Sequence, residues 1–176
     1  MPNTVQEALS LDQENGNCLR KDAIEKEIDN VKVVFQLIEE GEKLPAGSKE
    51  IPYHIIFDVK LDLTRKARLV PGGNRNKSVH PFTTFSSVAS RDGVRLIFLI
   101  SVLNDLDLLS ADIGNAYLNA KCRERVHARC GPELFGQEHT GKIAVIVRAL
   151  YRLKTSGVSW RQHLSNEIVN LGFTNT

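Results

Sequence analysis

Between Arg20 and Glu40 the apolar residues Ile24, Ile28, Val31, Phe35 and Ile38 recur at alternating spacings of four and three. That rhythm places them on one stripe of an amphipathic helix, with Gly41 as its stop. The stripe covers little more than two heptads, which favours packing against a sheet over a coiled coil. Residues 1–19 are polar, with turn formers in "DQENGN", and read as a linker or a short unanchored helix. After the loop "LPAGSKEIP", the stretches "YHIIFDVK" and "LDLTRKARLV" read as two strands joined near Leu61 to Thr64. "PGGNRNKSVHP" is a basic, glycine-containing turn region that leads into the Thr and Ser cluster "FTTFSSV". Ser90 can cap a helix running to about Asn104, whose nearly all-round apolar surface predicts deep burial. Asp107 to Ile113 reads as the next strand, and Arg125 to Arg129 and Lys142 to Arg148 as further strands. From Ser156 a helix carries Trp160, Leu164, Ile168 and Leu171 on one face and stops at Gly172.

Helices interspersed with hairpin-like strands predict an α+β fold with a mixed or antiparallel sheet rather than a doubly wound one. No internal repeat is present. The closing "LGFTNT" brings neither a further strand nor a capping element, the pattern of a chain expected to continue. Composition changes this picture little. With 41% hydrophobic and 25% charged residues in 176, the chain has globular values and length for one substantial core or part of a larger domain. A net charge of +2 does not by itself announce nucleic-acid binding, although the basic residues are unevenly placed. Cys18, Cys122 and Cys130 form neither a disulfide framework nor zinc-ligand spacing, and His127 and His139 do not complete one. The start has no basic region leading into an apolar core, and the run Val94 to Leu103 is interrupted by Arg95 and Ser101. Secretion and membrane spanning are therefore not expected.

The chemistry concentrates around "SADIGNAYLNA", Ser110 to Ala120. Asp112 lies between Leu108-Leu109 and Ile113-Gly114, where a buried carboxylate would have to be paired, bound to a metal, or not truly buried. A carboxylate at a strand end before a glycine turn suits a divalent cation, but one carboxylate is not a site, and magnesium would need a further Asp or Glu or substrate phosphates. On the residues alone, a turn aspartate bonding nearby amides outweighs a metal ligand. Basic clusters surround it in the sequence. Lys60, Arg65, Lys66, Arg68, Arg75 and Lys77 fall on or beside the hairpin, and alternation puts Lys66 and Arg68 on one side, a pair able to grip a phosphate chain. Lys121, Arg123, Arg125 and Arg129 make a second cluster, and Arg148, Arg152 and Lys154 a third. Each cluster taken alone reads more readily as a solvated surface. There is no phosphate-binding G-x-x-x-x-G-K-[ST] loop, and Ser156 and Ser159 lack the G-x-S-x-G setting of a hydrolase.

"KARLV", then "FSSVASRDGVRLIFLISVLNDLDLLSADIGNAYLNA", then "RALYRLKTSGVSWRQHLSNEIVNLGF" resemble, in order and spacing, reverse transcriptases of copia-type LTR retrotransposons. The resemblance reaches upstream through "DAIEKEI" and "HIIFDVK" and covers roughly residues 20 to 174. It implies a right-hand polymerase fold represented by fingers and a truncated, partial palm: about 20–106 mainly fingers, about 107–176 partial palm and adjoining fingers elements, behind the 1–19 leader. It implies RNA-directed DNA polymerisation using Mg2+, with an RNA or DNA template-primer, dNTPs and the remainder of the Pol polyprotein as partners. The expected location is cytoplasmic, in virus-like particles, or nuclear.

By the same resemblance Asp112 matches the first catalytic, metal-binding aspartate, joined at the metal by the backbone carbonyl of Ile113. Gly114, Asn115 and Ala116 match backbone that lies against the triphosphate, and Tyr117 the aromatic residue that excludes a 2′-hydroxyl. Lys66 and Arg68 belong to the block that approaches the triphosphate, without distinction between them, and Tyr151 and Arg152 to the block near the template and nascent pair. Departures accompany these matches. Arg152 stands where the family normally has Gly, and Pro71 where it usually has Ala. The family's second and third aspartates, in a Tyr-x-Asp-Asp turn, do not occur in the 176 residues, so inactivity as an isolated chain is expected. The alternatives are a non-catalytic nucleic-acid-binding module or a degenerate relic.

Overall fold

The computed structural model describes residues 1–39, 41–72, 86 and 89–174. Arg75 and Lys77 of the first basic cluster, most of the glycine-containing turn region and the Thr and Ser cluster except Ser86 lie outside the described residues. The described residues form a mixed α+β arrangement with two sheets. Among the described residues no helix is long and apolar enough to cross a membrane.

The chain opens with helix α1 (Val5–Glu14), capped by the Thr4 hydroxyl, which accepts the Glu7 N–H at 3.1 Å. The stretch read as a linker or unanchored helix is thus helical over these residues, and anchored. Val5, Ala8 and Asp12 share one face; Ala8 is fully buried and Asp12 is only 3% exposed. The Asp12 carboxylate accepts the Arg20 and Lys21 N–H groups at 2.8 and 2.9 Å and the Arg20 guanidinium at 3.1 Å. These are first-turn amides of helix α2 (Leu19–Val31), whose own N-cap, Cys18, makes no side-chain capping bond. A residue of one helix therefore caps the next.

Helix α2 ends at Val31, ten positions before the expected stop at Gly41. Lys32–Val34 form a 3₁₀ turn, and Phe35–Leu37 become strand β1 instead of the last helical turn. The reason is that β-branched Val33 and Val34 weaken the helix, while β6 (Ile143–Ile146) offers a row of backbone partners in the register Phe35↔Ile146. Phe35 stays buried, now through ring contacts with Tyr53 and Phe135 at 6.1 and 5.7 Å. The main sheet has the order β1-β6-β5-β2, with β5 at Val126–Arg129 and β2 at Lys49–Glu50, inside the stretch expected to be a loop. Strand β2 runs parallel to β5 and the other pairs are antiparallel. The short helix α4 (Pro132–Phe135) follows β5 and buries Leu134.

The predicted hairpin forms as a separate two-stranded sheet, β3 (Tyr53–Val59) against β4 (Arg65–Pro71), with Tyr53↔Pro71 and Val59↔Arg65 at its ends. Helix α2 packs on β4, and Ile24, Val31, Ala67 and Leu69 share one core with Val126, Ala128, Ala144 and Ile146 of the main sheet.

Two expectations fail in the second half. Helix α3 (Arg91–Leu103) forms with Ser90 as its cap, the hydroxyl accepting the Gly93 N–H at 2.9 Å, but it is not deeply buried. Leu96, Ile97, Phe98 and Val102 are exposed, Phe98 by 57%. Asp107 to Ile113 is not a strand, and Leu109 is 96% exposed. A helix satisfies its own backbone whereas a strand needs a neighbour, and among the described residues no strand lies beside residues 107–113. Helix α5 (Ser156–Asn170) starts and stops where predicted, but its stripe faces inward only at first: Trp160 and Leu164 are partly buried, Ile168 and Leu171 exposed.

Candidate nucleotide site

Strand β4 presents Ala67 and Leu69 to the core, and its alternation puts Lys66 and Arg68 on the opposite side. One edge of β4 is paired with β3. On the other edge the Leu69 N–H is met by Glu27 of α2, whose Oε1 accepts it at 2.9 Å. Burial pushes the Glu27 carboxyl above its ordinary value, while the Leu69 N–H and the charges of Lys66 and Arg68 work in the opposite direction. Between α2 and the hairpin tip lies an open cleft of about 490 Å³, lined by Lys26, Glu27, Asn30, Lys60, Lys66 and, from much later in the chain, Asn115.

Asn115 begins the second half of the site. It adopts a left-handed conformation, φ +51°, which Asn tolerates better than most side chains, directly after Gly114. It leads into a 3₁₀ turn, Ala116–Asn119, tightened by bonds from Leu118 N–H to Asn115 O and from Ala120 N–H to Tyr117 O. Leu118 is buried, the turn packs beside α5, and this fixes Tyr117. The following residues are laced to the stretch before α5. Ala149 N–H bonds Ala120 O, Cys122 N–H bonds Val147 O, and the Arg148 guanidinium bonds Asn119 O, at 2.9, 3.0 and 3.0 Å.

That lacing brings Tyr117 against Tyr151, with ring centroids 5.1 Å apart and the planes tilted by 59°. Burial raises the Tyr151 phenol above its ordinary value; Glu27, Tyr117 and Asp112 add to the rise and Arg68 opposes it. Tyr151 thus lies within the electrostatic reach of residues from α2, β4, the Asp112 loop and the Tyr117 turn.

Asp112 itself is exposed, on a loop rather than at the end of a buried strand. The burial cost suggested by its apolar neighbours does not arise, because Leu108, Leu109 and Ile113 are exposed with it. Among the described residues no three His, Cys, Asp or Glu side chains group as metal ligands. One carboxylate and the Ile113 carbonyl do not fit a complete magnesium site.

Arg152, which follows Tyr151, has φ +70°, a conformation that suits glycine and disfavours a side chain. The second and third basic clusters are partly structural: Arg125 bonds Ala46 O at 3.0 Å, Arg129 bonds Gly141 O and Glu50 at 3.2 Å each, and Arg148 bonds Asn119 O. Burial pushes the Cys122 thiol up to about 11 and raises that of Cys130, which suits inert core thiols rather than metal-binding thiolates. His127 is held by Ser48, Oγ to Nδ1 at 2.8 Å.

Sequence reasoning missed Glu27 and Asp12. The signal was the same for both, a carboxylate at core-face spacing in an amphipathic helix: Ile24, Glu27, Ile28 and Val31 in α2, and Val5, Ala8 and Asp12 in α1. Such a residue must find buried donors.

A family model described as reverse transcriptase (RNA-dependent DNA polymerase) matches residues 34–176. The Transposon Ty1-DR4 Gag-Pol polyprotein of Saccharomyces cerevisiae is 30% identical over 118 residues, covering 65% of this chain and 7% of that protein. The Transposon Ty1-DR6 Gag-Pol polyprotein of the same yeast is 30% identical over 118 residues, covering 65% of this chain and 6% of its own length. The chain therefore spans less than a tenth of the curated relatives it matches. No solved structure matches it.

Proposed function

The chain belongs to the copia-type reverse transcriptase (RNA-dependent DNA polymerase) family, and from that premise we propose that it carries the incoming-nucleotide side of a polymerase site, in a fingers and partial palm arrangement. Lys66 and Arg68 meet the triphosphate, the Gly114 to Ala116 backbone lies along it, and Tyr117 bears on the sugar where a 2′-hydroxyl would project. Tyr151 and Arg152 border the nascent pair. Asp112 would offer one carboxylate to magnesium, the ion on which the family's chemistry depends, and would not hold it alone. The working partners are a template-primer and the rest of a Gag-Pol polyprotein, in the cytoplasm.

The observation that carries this reading is convergence. Lys66 and Asn115, 49 positions apart, line one cleft, and Tyr117 meets Tyr151, from a separate block, in a tilted ring contact. A surface of scattered charges gives no reason for residues from three distant segments to meet. The exposed side of β4 offers cations, the left-handed Asn115 turn offers backbone, and the aromatic pair offers ring surface.

The chain alone is proposed not to polymerise, because it contains no Tyr-x-Asp-Asp sequence. Primer extension on an RNA template with magnesium and dNTPs tests this, and robust synthesis by residues 1–176 would overturn it. Direct titration with magnesium dTTP tests the nucleotide assignment. Binding is expected in the unaltered chain and is expected to weaken about tenfold in Lys66→Ala or Arg68→Ala, the size of one lost charge-assisted contact. Affinity unchanged in both variants would remove the hairpin from the site.

A further inference from the structure

We infer that Glu27 is a positioning residue of this site: from α2 it clamps the unpaired edge of β4 at Leu69 and thereby aims Lys66 and Arg68 at the turn that begins with Asn115. The role rests on the nucleotide reading of the cleft. Three observations carry it. The Glu27 carboxylate accepts the Leu69 N–H at 2.9 Å, one residue beyond Arg68, on a strand whose other edge is occupied by β3. Leu69 is 1% exposed, so this amide would be orphaned without Glu27. Glu27 also lines the cleft together with Lys66 and Asn115.

Lys66 and Arg68 occupy alternate positions of a strand that is the last in its sheet. Among the described residues, the hairpin partner and the packing of α2 hold such a strand against sideways and twisting motion, and the cations move with it. A charge-assisted bond between them pins the strand where their direction matters. A triphosphate would meet cations on a strand already pinned, while Glu27 remains tied to the backbone.

The test uses the full chain and reads discrimination between two ligands, magnesium dTTP and dTMP, because general loss of folded protein lowers both affinities alike. Glu27→Ala is expected to lower dTTP affinity about tenfold and dTMP affinity by less than about twofold, as for a lost charge-assisted contact. Glu27→Asp, which keeps the charge but shortens the reach, is expected to do the same and serves if the alanine variant folds poorly. Glu27→Gln keeps an oxygen acceptor for Leu69, and its discrimination should stay within about twofold of the unaltered chain. Full discrimination in Glu27→Asp, or loss of it in Glu27→Gln as complete as in Glu27→Ala, overturns the positioning role. An unaltered chain that does not prefer dTTP overturns the nucleotide reading itself.

Discussion

Arg152 holds a left-handed backbone, φ +70°, a conformation that glycine adopts without steric cost. A side chain in that region costs roughly 1–2 kcal/mol relative to the ordinary helical well, part of which glycine gives back through the greater entropy of its unfolded state. Arg152→Gly is therefore expected to stabilise the chain by roughly 0.5 kcal/mol, seen as a higher urea midpoint at unchanged m-value. A lower midpoint would mean that the guanidinium makes contacts worth more than the strain. Glu27 makes a prediction with a definite sign in pH. Its folded pKa lies above the ordinary 4.5, chiefly through burial. Its contribution to stability is therefore fully present below that value and is lost as pH rises through the folded pKa. Glu27→Gln should flatten this dependence and leave stability at neutral pH equal or higher, measured by thermal unfolding across about pH 3 to 8.

At the scale of elements, the junction of α1 and α2 has the opposite pH behaviour. Burial raises the Asp12 carboxyl, but the Lys21 N–H and the Arg20 side chain and N–H outweigh it, and the net pKa falls below 3.8. Stability from Asp12 is therefore present above about that pH and is lost as pH falls through the lowered value. Asp12→Ala should cost about 2 kcal/mol near neutrality, as expected for a lost helix cap beside an unpaired guanidinium, and should blunt the acid limb of the unfolding profile. An alanine variant as stable as the parent at neutral pH would mean that α1 does not brace α2. Local chemistry made most of these elements legible: the β3–β4 hairpin, the Ser90 cap of α3 and the Gly172 stop of α5 all rest on neighbouring residues. The missed elements depend on distant ones. Strand β1 continues a helical rhythm yet pairs with residues more than a hundred positions away, and Asp12 caps a helix it does not precede directly.

Across the whole molecule, the apolar face of α3 and the loop through Leu109 stand open to solvent, together with Ile168, Leu171 and Phe173. Surfaces of this kind drive association when no partner covers them. The chain is expected to self-associate as its concentration rises, and the double substitution Ile97→Glu with Val102→Glu to shift it toward monomer in sedimentation velocity without lowering its melting temperature. A parent chain monomeric at high concentration would contradict this. The class of the fold, the family and the hairpin that carries Lys66 and Arg68 were legible in the chain, because short-range spacing and turn chemistry specify them. The folded arrangement decided that Tyr117 meets Tyr151, that Asn115 lines a cleft with Lys66, and that Glu27 and Asp12 hold strands and helices together. It also decided that Asp112 is exposed and α3 uncovered. Burial and partnership belong to pairs of distant segments, so no window of neighbouring residues contains them.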